Sequence, residues 1–172
     1  MSKFLDLRRL ALIAILASLC IVSRQILAPF PNIKPITAIF LVVAIYMGFV
    51  DALLLAIITM TATSISLGFG IWVLFQCISY MVSLLVWKCL EFPSKLLPTK
   101  GKILIQSILA GLMAFLYGIS INILTALYYS TNIWITEINA LYFDLAHAIS
   151  TALFYPIILS IFRRFYHNEK NI

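Results

Sequence analysis

Six runs of apolar residues, Leu10–Leu27, Ile36–Met47, Ala52–Leu67, Trp72–Leu90, Ile103–Tyr128 and Asn139–Phe162, dominate this chain and leave little polar sequence between them. With 63% hydrophobic residues, 10% charged residues and a mean hydropathy of +1.08, there is too little polar surface for a soluble globule. The expected fold class is an all-α integral membrane protein, a single bundle of six transmembrane helices spanning residues 1–172, multi-pass in the cell membrane. A bilayer core of about 30 Å needs about 20 helical residues, which the first, fourth, fifth and sixth runs supply. The second and third runs are shorter and meet at Gly48-Phe49-Val50-Asp51, a tight break where Asp51 can cap the next helix and favour its positive end. Two tilted or partly sunken crossings are expected there, with a re-entrant hairpin as the alternative; either keeps both termini on one side.

The basic N-terminus followed by an apolar run has the outline of a signal peptide, but apolar sequence continues past Cys20 and further apolar runs follow. Leu19 is not the small residue that a lipoprotein cleavage site requires before its cysteine. Cys20, Cys77 and Cys89 lie within apolar runs without paired spacing and read as packing residues, neither disulfides nor metal ligands.

Basic residues set the expected orientation. With the N-terminus inside, Lys3, Arg8, Arg9, Lys88, Lys95, Lys100, Lys102, Arg163, Arg164 and Lys170 fall on the cytoplasmic side, leaving Arg24 and Lys34 outside. Both termini are thus expected in the cytoplasm. The net charge of +6 is explained by attraction to an anionic leaflet and needs no nucleic acid. Arg24 and Lys34 either snorkel to the outer headgroups or face a polar cavity opening outward.

Lys34 sits in Pro29-Phe30-Pro31-Asn32-Ile33-Lys34-Pro35-Ile36-Thr37, where three prolines remove backbone donors and forbid continued helix. A stiff loop should therefore hold Asn32 and Lys34 in limited positions. In the fourth run Trp72, Gln76 and Tyr80 recur every four residues on one face, continued by Ser83 and Trp87. Near the fifth run's end stand Asn122, Thr125 and Tyr129, and the sixth opens with Asn139, Tyr142, Asp144 and His147. Asp144 and His147, three apart, can share a face, as a hydrogen-bonded pair, as partners of Arg24 or Lys34, or as ligand contacts. Asp144 is expected only about 7 to 8 Å from its helix start, where charge burial is less costly than at mid-membrane.

Motifs for catalysis or energy coupling are missing. Lys100-Gly101-Lys102 lacks the earlier glycine and the hydroxyl residue of a phosphate loop, and there is no HExxH, paired-cysteine metal spacing or glycine-flanked nucleophile. No catalytic residue and no metal site is expected, and any ATPase must belong to other chains. One Asp and one His would be a thin basis for an intramembrane hydrolase.

Taken together, the residues resemble the substrate-binding S components of energy-coupling-factor (ECF) type ABC vitamin transporters. The resemblance covers nearly the whole chain and rests on PNIKPITAI at Pro31 to Ile39, LGFGIW at Leu67 to Trp72 followed by Gln76, and FDLAHAIS at Phe143 to Ser150. It is nearest to a subgroup linked to pyridoxine or hydroxymethylpyrimidine, with relatives linked to cobalamin. It implies a subunit that captures a vitamin from outside, reorients against a transmembrane coupling subunit of the EcfT type, and relies on two cytoplasmic ATPases. The chain would then be no enzyme and hold no covalent cofactor, its vitamin being the transported substrate. The implied substrate-binding residues are Arg24, Asn32, Lys34, Trp72, Gln76, Tyr80, Asp144 and His147, with Trp72 and Tyr80 stacking on a small aromatic ring. The family docks through Ala-x-x-x-Ala in its first helix; here the small residues are Ala11, Ala14 and Ser18, which serve either docking or packing within the bundle. Cobalamin capture and a small intramembrane enzyme using Asp144 and His147 are the alternatives.

Overall fold

The computed structural model describes residues 7–94 and 99–169, so Lys3, Lys95 and Lys170 of the basic set lie outside the described residues. These residues form six helices and, among the described residues, no strand: α1 Leu7–Ile26, α2 Ile36–Tyr46, α3 Phe49–Leu67, α4 Trp72–Ser94, α5 Thr99–Tyr128 and α6 Ile133–Glu169. Five are long and apolar enough to cross a membrane, as suits a membrane-embedded protein.

The exception is α2. Its 11 residues extend about 16 Å at 1.5 Å per residue, roughly half of a bilayer core. The expected pair of short crossings is therefore corrected to one short helix, α2, and one full-length helix, α3, which begins at Phe49 and runs 19 residues. Ile36 to Val43 are all buried, Thr37 among them. A helix apolar on every face belongs inside a protein, and α2 packs against each of the other five helices. Those five form a horseshoe in the order α1, α3, α4, α5, α6; among the described residues α1 and α6 do not pack together. Between them an apolar groove of about 340 Å³ reaches down to Ile39 of α2.

Chain breaks follow local chemistry. The prolines close α1 at Ile26, the connector turns through Phe30 N–H to Leu27 C=O (3.1 Å), and Pro35 precedes α2. Gly48, at φ +105°, makes the reversal into α3 with a backbone that L side chains rarely adopt. At the head of α6, Asn132 Oδ1 accepts from the N–H groups of Trp134 (2.9 Å) and Ile135 (3.3 Å), an N-cap that starts this helix six residues before Asn139. Most of the expected loop 130–137 is thus helical. Gly111 and Gly118 let α5 approach α6: a β-carbon at Gly111 would stand 2.9 Å from Ala148 O, and one at Gly118 would collide with the Asp144 carboxyl group.

Polar attachments at both ends hold α1 parallel to α3, the bond from Arg24 to the Thr63 hydroxyl among them. At one end Arg9 grips the buried Asp51 in a two-pronged ion pair, Nε to Oδ2 at 2.7 Å and Nη2 to Oδ1 at 2.6 Å. The cap of α3 is Gly48, which corrects the capping role expected of Asp51; Asp51 does stand in the first turn, at the helix's positive end, where it carries this ion pair. At the other end Gln25 Nε2 donates to Ser66 Oγ at 2.9 Å. Arg9→Gln leaves a carboxylate with only 2% residue exposure without its cation, which should cost about 3 kcal/mol or more, while Arg9→Gln with Asp51→Asn recovers most of that loss. Thermal melting of the four combinations in detergent measures the coupling; additive losses would mean that the pair contributes nothing.

Candidate functional site

A polar cavity of about 80 Å³ lies at the Lys34 end of the bundle, lined by Arg24, Asn32, Lys34, Ile36, Met60, Gln76, Tyr80, Tyr117 and His147. Every helix sends a side chain to it: Arg24 from α1, Ile36 from α2, Met60 from α3, Gln76 and Tyr80 from α4, Tyr117 from α5 and His147 from α6. The connector adds Asn32 and Lys34. Arg24, Asn32, Lys34 and Gln76 are partly exposed, whereas Ile36, Met60, Tyr80 and His147 are buried and form the floor.

The floor is organised by Thr37. Its hydroxyl lies 3.0 Å from the Tyr80 phenol and 2.8 Å from His147 Nε2. A hydroxyl donates one proton and accepts through its lone pairs, so Thr37 can donate to only one of these partners and must accept from any other. Rings continue the wall: Phe40 meets Tyr80 edge-on at 5.0 Å, Tyr80 lies 4.3 Å from Tyr117 with a 34° tilt, and Tyr117 meets His147 edge-on at 5.4 Å.

The rim is positive. Arg24 Nη1 donates to Thr63 Oγ1, and its Nη2 reaches Gln76 Oε1 at 3.4 Å. The Asn32 backbone stands at φ +61°, a left-handed conformation that asparagine tolerates better than most residues. Asn32 Nδ2 then donates to Phe143 O of α6 at 2.9 Å, pinning the loop across the bundle. Lys34 therefore stands on a doubly anchored segment. Burial, and next the nearby Arg24 guanidinium, hold the Lys34 pKa below the ordinary lysine value.

Of the eight substrate-binding residues expected from the sequence, the fold brings Arg24, Asn32, Lys34, Gln76, Tyr80 and His147 together at this cavity. Trp72 is not in its wall; the indole is 45% exposed and its ring covers Gly70. Asp144 is also elsewhere. It does not bond to His147, whose Nε2 is held by Thr37, nor to Arg24 or Lys34; instead Asn122 Nδ2 donates to Asp144 Oδ2 at 2.8 Å and to Glu137 Oε2 at 3.2 Å. Because α6 starts at Ile133, Asp144 lies about 16 Å along it, deeper than expected, beside a broad apolar groove between α5 and α6. Of the face continued from Gln76 and Tyr80, Ser83 is buried, and Trp87 is buried with its Nε1 donating to Leu41 O of α2 at 3.0 Å.

Thr37, Met60 and Tyr117 were missed by sequence reasoning. Thr37 lies in the stretch singled out for its prolines, and a hydroxyl one residue inside an otherwise apolar helix was the available signal. Tyr117 sits in an apolar run whose buried and exposed faces the sequence does not distinguish.

Ala11, Ala14 and Ser18 share the exposed face of α1, where Ser18 Oγ donates to Ala14 O at 2.9 Å. They do not pack within this bundle. No group of histidine, cysteine or acidic side chains suited to a metal ion occurs among the described residues. Compared with protein-family models, curated proteins and solved structures, the chain matches none.

Thr37→Val deprives two buried polar groups of their common partner and should cost about 2 kcal/mol, whereas Thr37→Ser should retain most of the stability. Melting temperatures in detergent distinguish the two; equal losses would assign the effect to packing.

Proposed function

We propose that this chain is the substrate-capture subunit of an ECF-type importer, binding a small water-soluble vitamin or precursor at the cavity beneath the Pro29–Thr37 loop. The observation that carries this reading is the convergence of Arg24, Asn32, Lys34, Gln76, Tyr80 and His147, from three helices and one connector, on a single cavity in an otherwise apolar molecule. Polar and ionisable groups are costly within a membrane protein and concentrate where a substrate path requires them. The aromatic series Tyr80, Tyr117 and His147 offers faces to a small ring, in keeping with a pyridoxine- or hydroxymethylpyrimidine-sized solute. A volume of about 80 Å³ favours such a solute over a corrinoid.

In this reading the Lys34 end faces outward and both termini are cytoplasmic in the cell membrane, as the distribution of basic residues favours. The chain itself hydrolyses nothing: it reorients against a transmembrane coupling subunit driven by two cytoplasmic ATPases. The exposed small residues Ala11, Ala14 and Ser18 allow the close backbone approach such a coupling contact needs.

Mass spectrometry of small molecules co-purifying with the protein tests the reading. A stoichiometric vitamin-like solute is expected with the unaltered chain. Lys34→Ala should reduce its retention roughly tenfold, through loss of a charge-assisted contact, without changing membrane insertion. Unchanged retention would reduce the proline loop to a stiff connector, and the absence of any solute would count against capture itself.

A further inference from the structure

We propose that the captured solute is an anion, whose carboxylate or phosphate group is held between Arg24 and Lys34. This inference rests on the capture reading and names its substrate class. It departs from the neutral alcohols that the sequence resemblance favours.

The cavity wall contains two cationic side chains and no acid. The other titratable groups facing it are Tyr80 from α4, Tyr117 from α5 and His147 from α6; α2 contributes Ile36, and α3 contributes Met60 with Thr63 behind Arg24. Acids whose side chains are described are engaged elsewhere. Asp51 is paired with Arg9, while Glu137 and Asp144 share the Asn122 amide on the α5–α6 side.

Arg24 is bonded to neutral acceptors only, the Thr63 hydroxyl and the Gln76 carbonyl oxygen. Lys34 has neither a hydrogen bond nor an ion pair to any described residue, yet it is only partly exposed. Two like charges with incomplete solvation and no counter-ion raise the energy of the folded state. A neutral diol would exchange one set of hydrogen bonds for another and leave both charges uncompensated. An anion placed between them relieves the desolvation of Lys34 and its repulsion from Arg24 together, with charge-assisted bonds to both.

The pH dependence follows. The unfolded chain binds the Lys34 proton more tightly than the folded chain, so the Lys34 charge subtracts from stability at pH values below its ordinary titration range. A bound anion favours the protonated form and opposes that loss. Anion affinity should therefore be full where Lys34 is charged and fall as pH rises through its depressed pKa.

A lipid headgroup could supply the same phosphate chemistry, and the experiment separates the two sources. The full chain is reconstituted in phosphatidylcholine nanodiscs, and binding of matched probes is titrated by intrinsic tryptophan fluorescence: nicotinate against nicotinamide, and pyridoxine 5′-phosphate against pyridoxine. The anionic member of at least one pair should bind roughly tenfold more tightly or better. Arg24→Gln and Lys34→Gln should each remove most of that preference, and Lys34→Gln should flatten its alkaline decline. Replacing a third of the lipid with phosphatidylglycerol should leave the anion's affinity unchanged. Equal or tighter binding of the neutral members would overturn the charge assignment while sustaining capture. Loss of anion binding in phosphatidylglycerol discs would assign the cations to lipid and overturn it too. If no probe binds and no solute co-purifies, the capture reading falls with it.

Discussion

The burial of α2 from Ile36 to Val43 is the constraint on which the rest of the bundle depends. A helix too short to cross a membrane, apolar on all faces through Ile36 to Val43, is enclosed by five longer helices. Its interior position turns single polar groups into fixed reference points. Leu41 O receives the Trp87 indole, and the Thr37 hydroxyl meets both Tyr80 and His147, so α2 sets the positions of α4 and α6 through directed bonds as well as packing. Buried hydrogen bonds of this kind gain their importance from the cost of leaving either partner unmade.

Because α2 ends well short of a membrane's thickness, the connector preceding it sinks toward the bundle interior. That geometry places Lys34 beside Arg24 and above the Tyr80–Tyr117–His147 wall. Opposite charges are distributed elsewhere: Arg9 and Asp51 neutralise one another at the far end of α1, and Asp144 and Glu137 face Asn122 on another side of α6. Electrostatic asymmetry within one molecule thus follows from which helix ends its connectors bring together.

Much of this arrangement was legible in the sequence, for identifiable reasons. Prolines at 29, 31 and 35 forced the α1–α2 break, and helical periodicity put Gln76 and Tyr80 on the cavity side of α4. The same periodicity included Trp72, but the turn at Gly68 to Ile71 brings that indole back over Gly70. Spacing could pair Asp144 with His147 because it ignores neighbours; Asn122 and Thr37, distant in sequence, claimed one each. The start of α6 was misplaced because Asn132, its cap, stands among polar residues that resemble a loop. Thr37 and Tyr117 were hidden in apolar runs where only tertiary packing identifies the inward face.

The proline loop gains a mechanical meaning from its second anchor. Prolines limit its backbone, yet a stiff segment attached only at its ends could still tilt as a unit. Asn32 prevents this by bonding to Phe143 O, on the helix that also carries His147 four residues later. One turn of α6 consequently fixes both the cavity's lid residue and part of its floor. Moving the loop away from α6 would break the Asn32 bond, so loop and helix are coupled at the mouth of the cavity. Among the described residues α6 does not pack against α1, whereas on the α5 seam Gly111 and Gly118 bring the backbones close together. The loop and α6 are thus joined twice at the cavity, by the Asn32 bond at its mouth and by the Thr37–His147 bond at its floor.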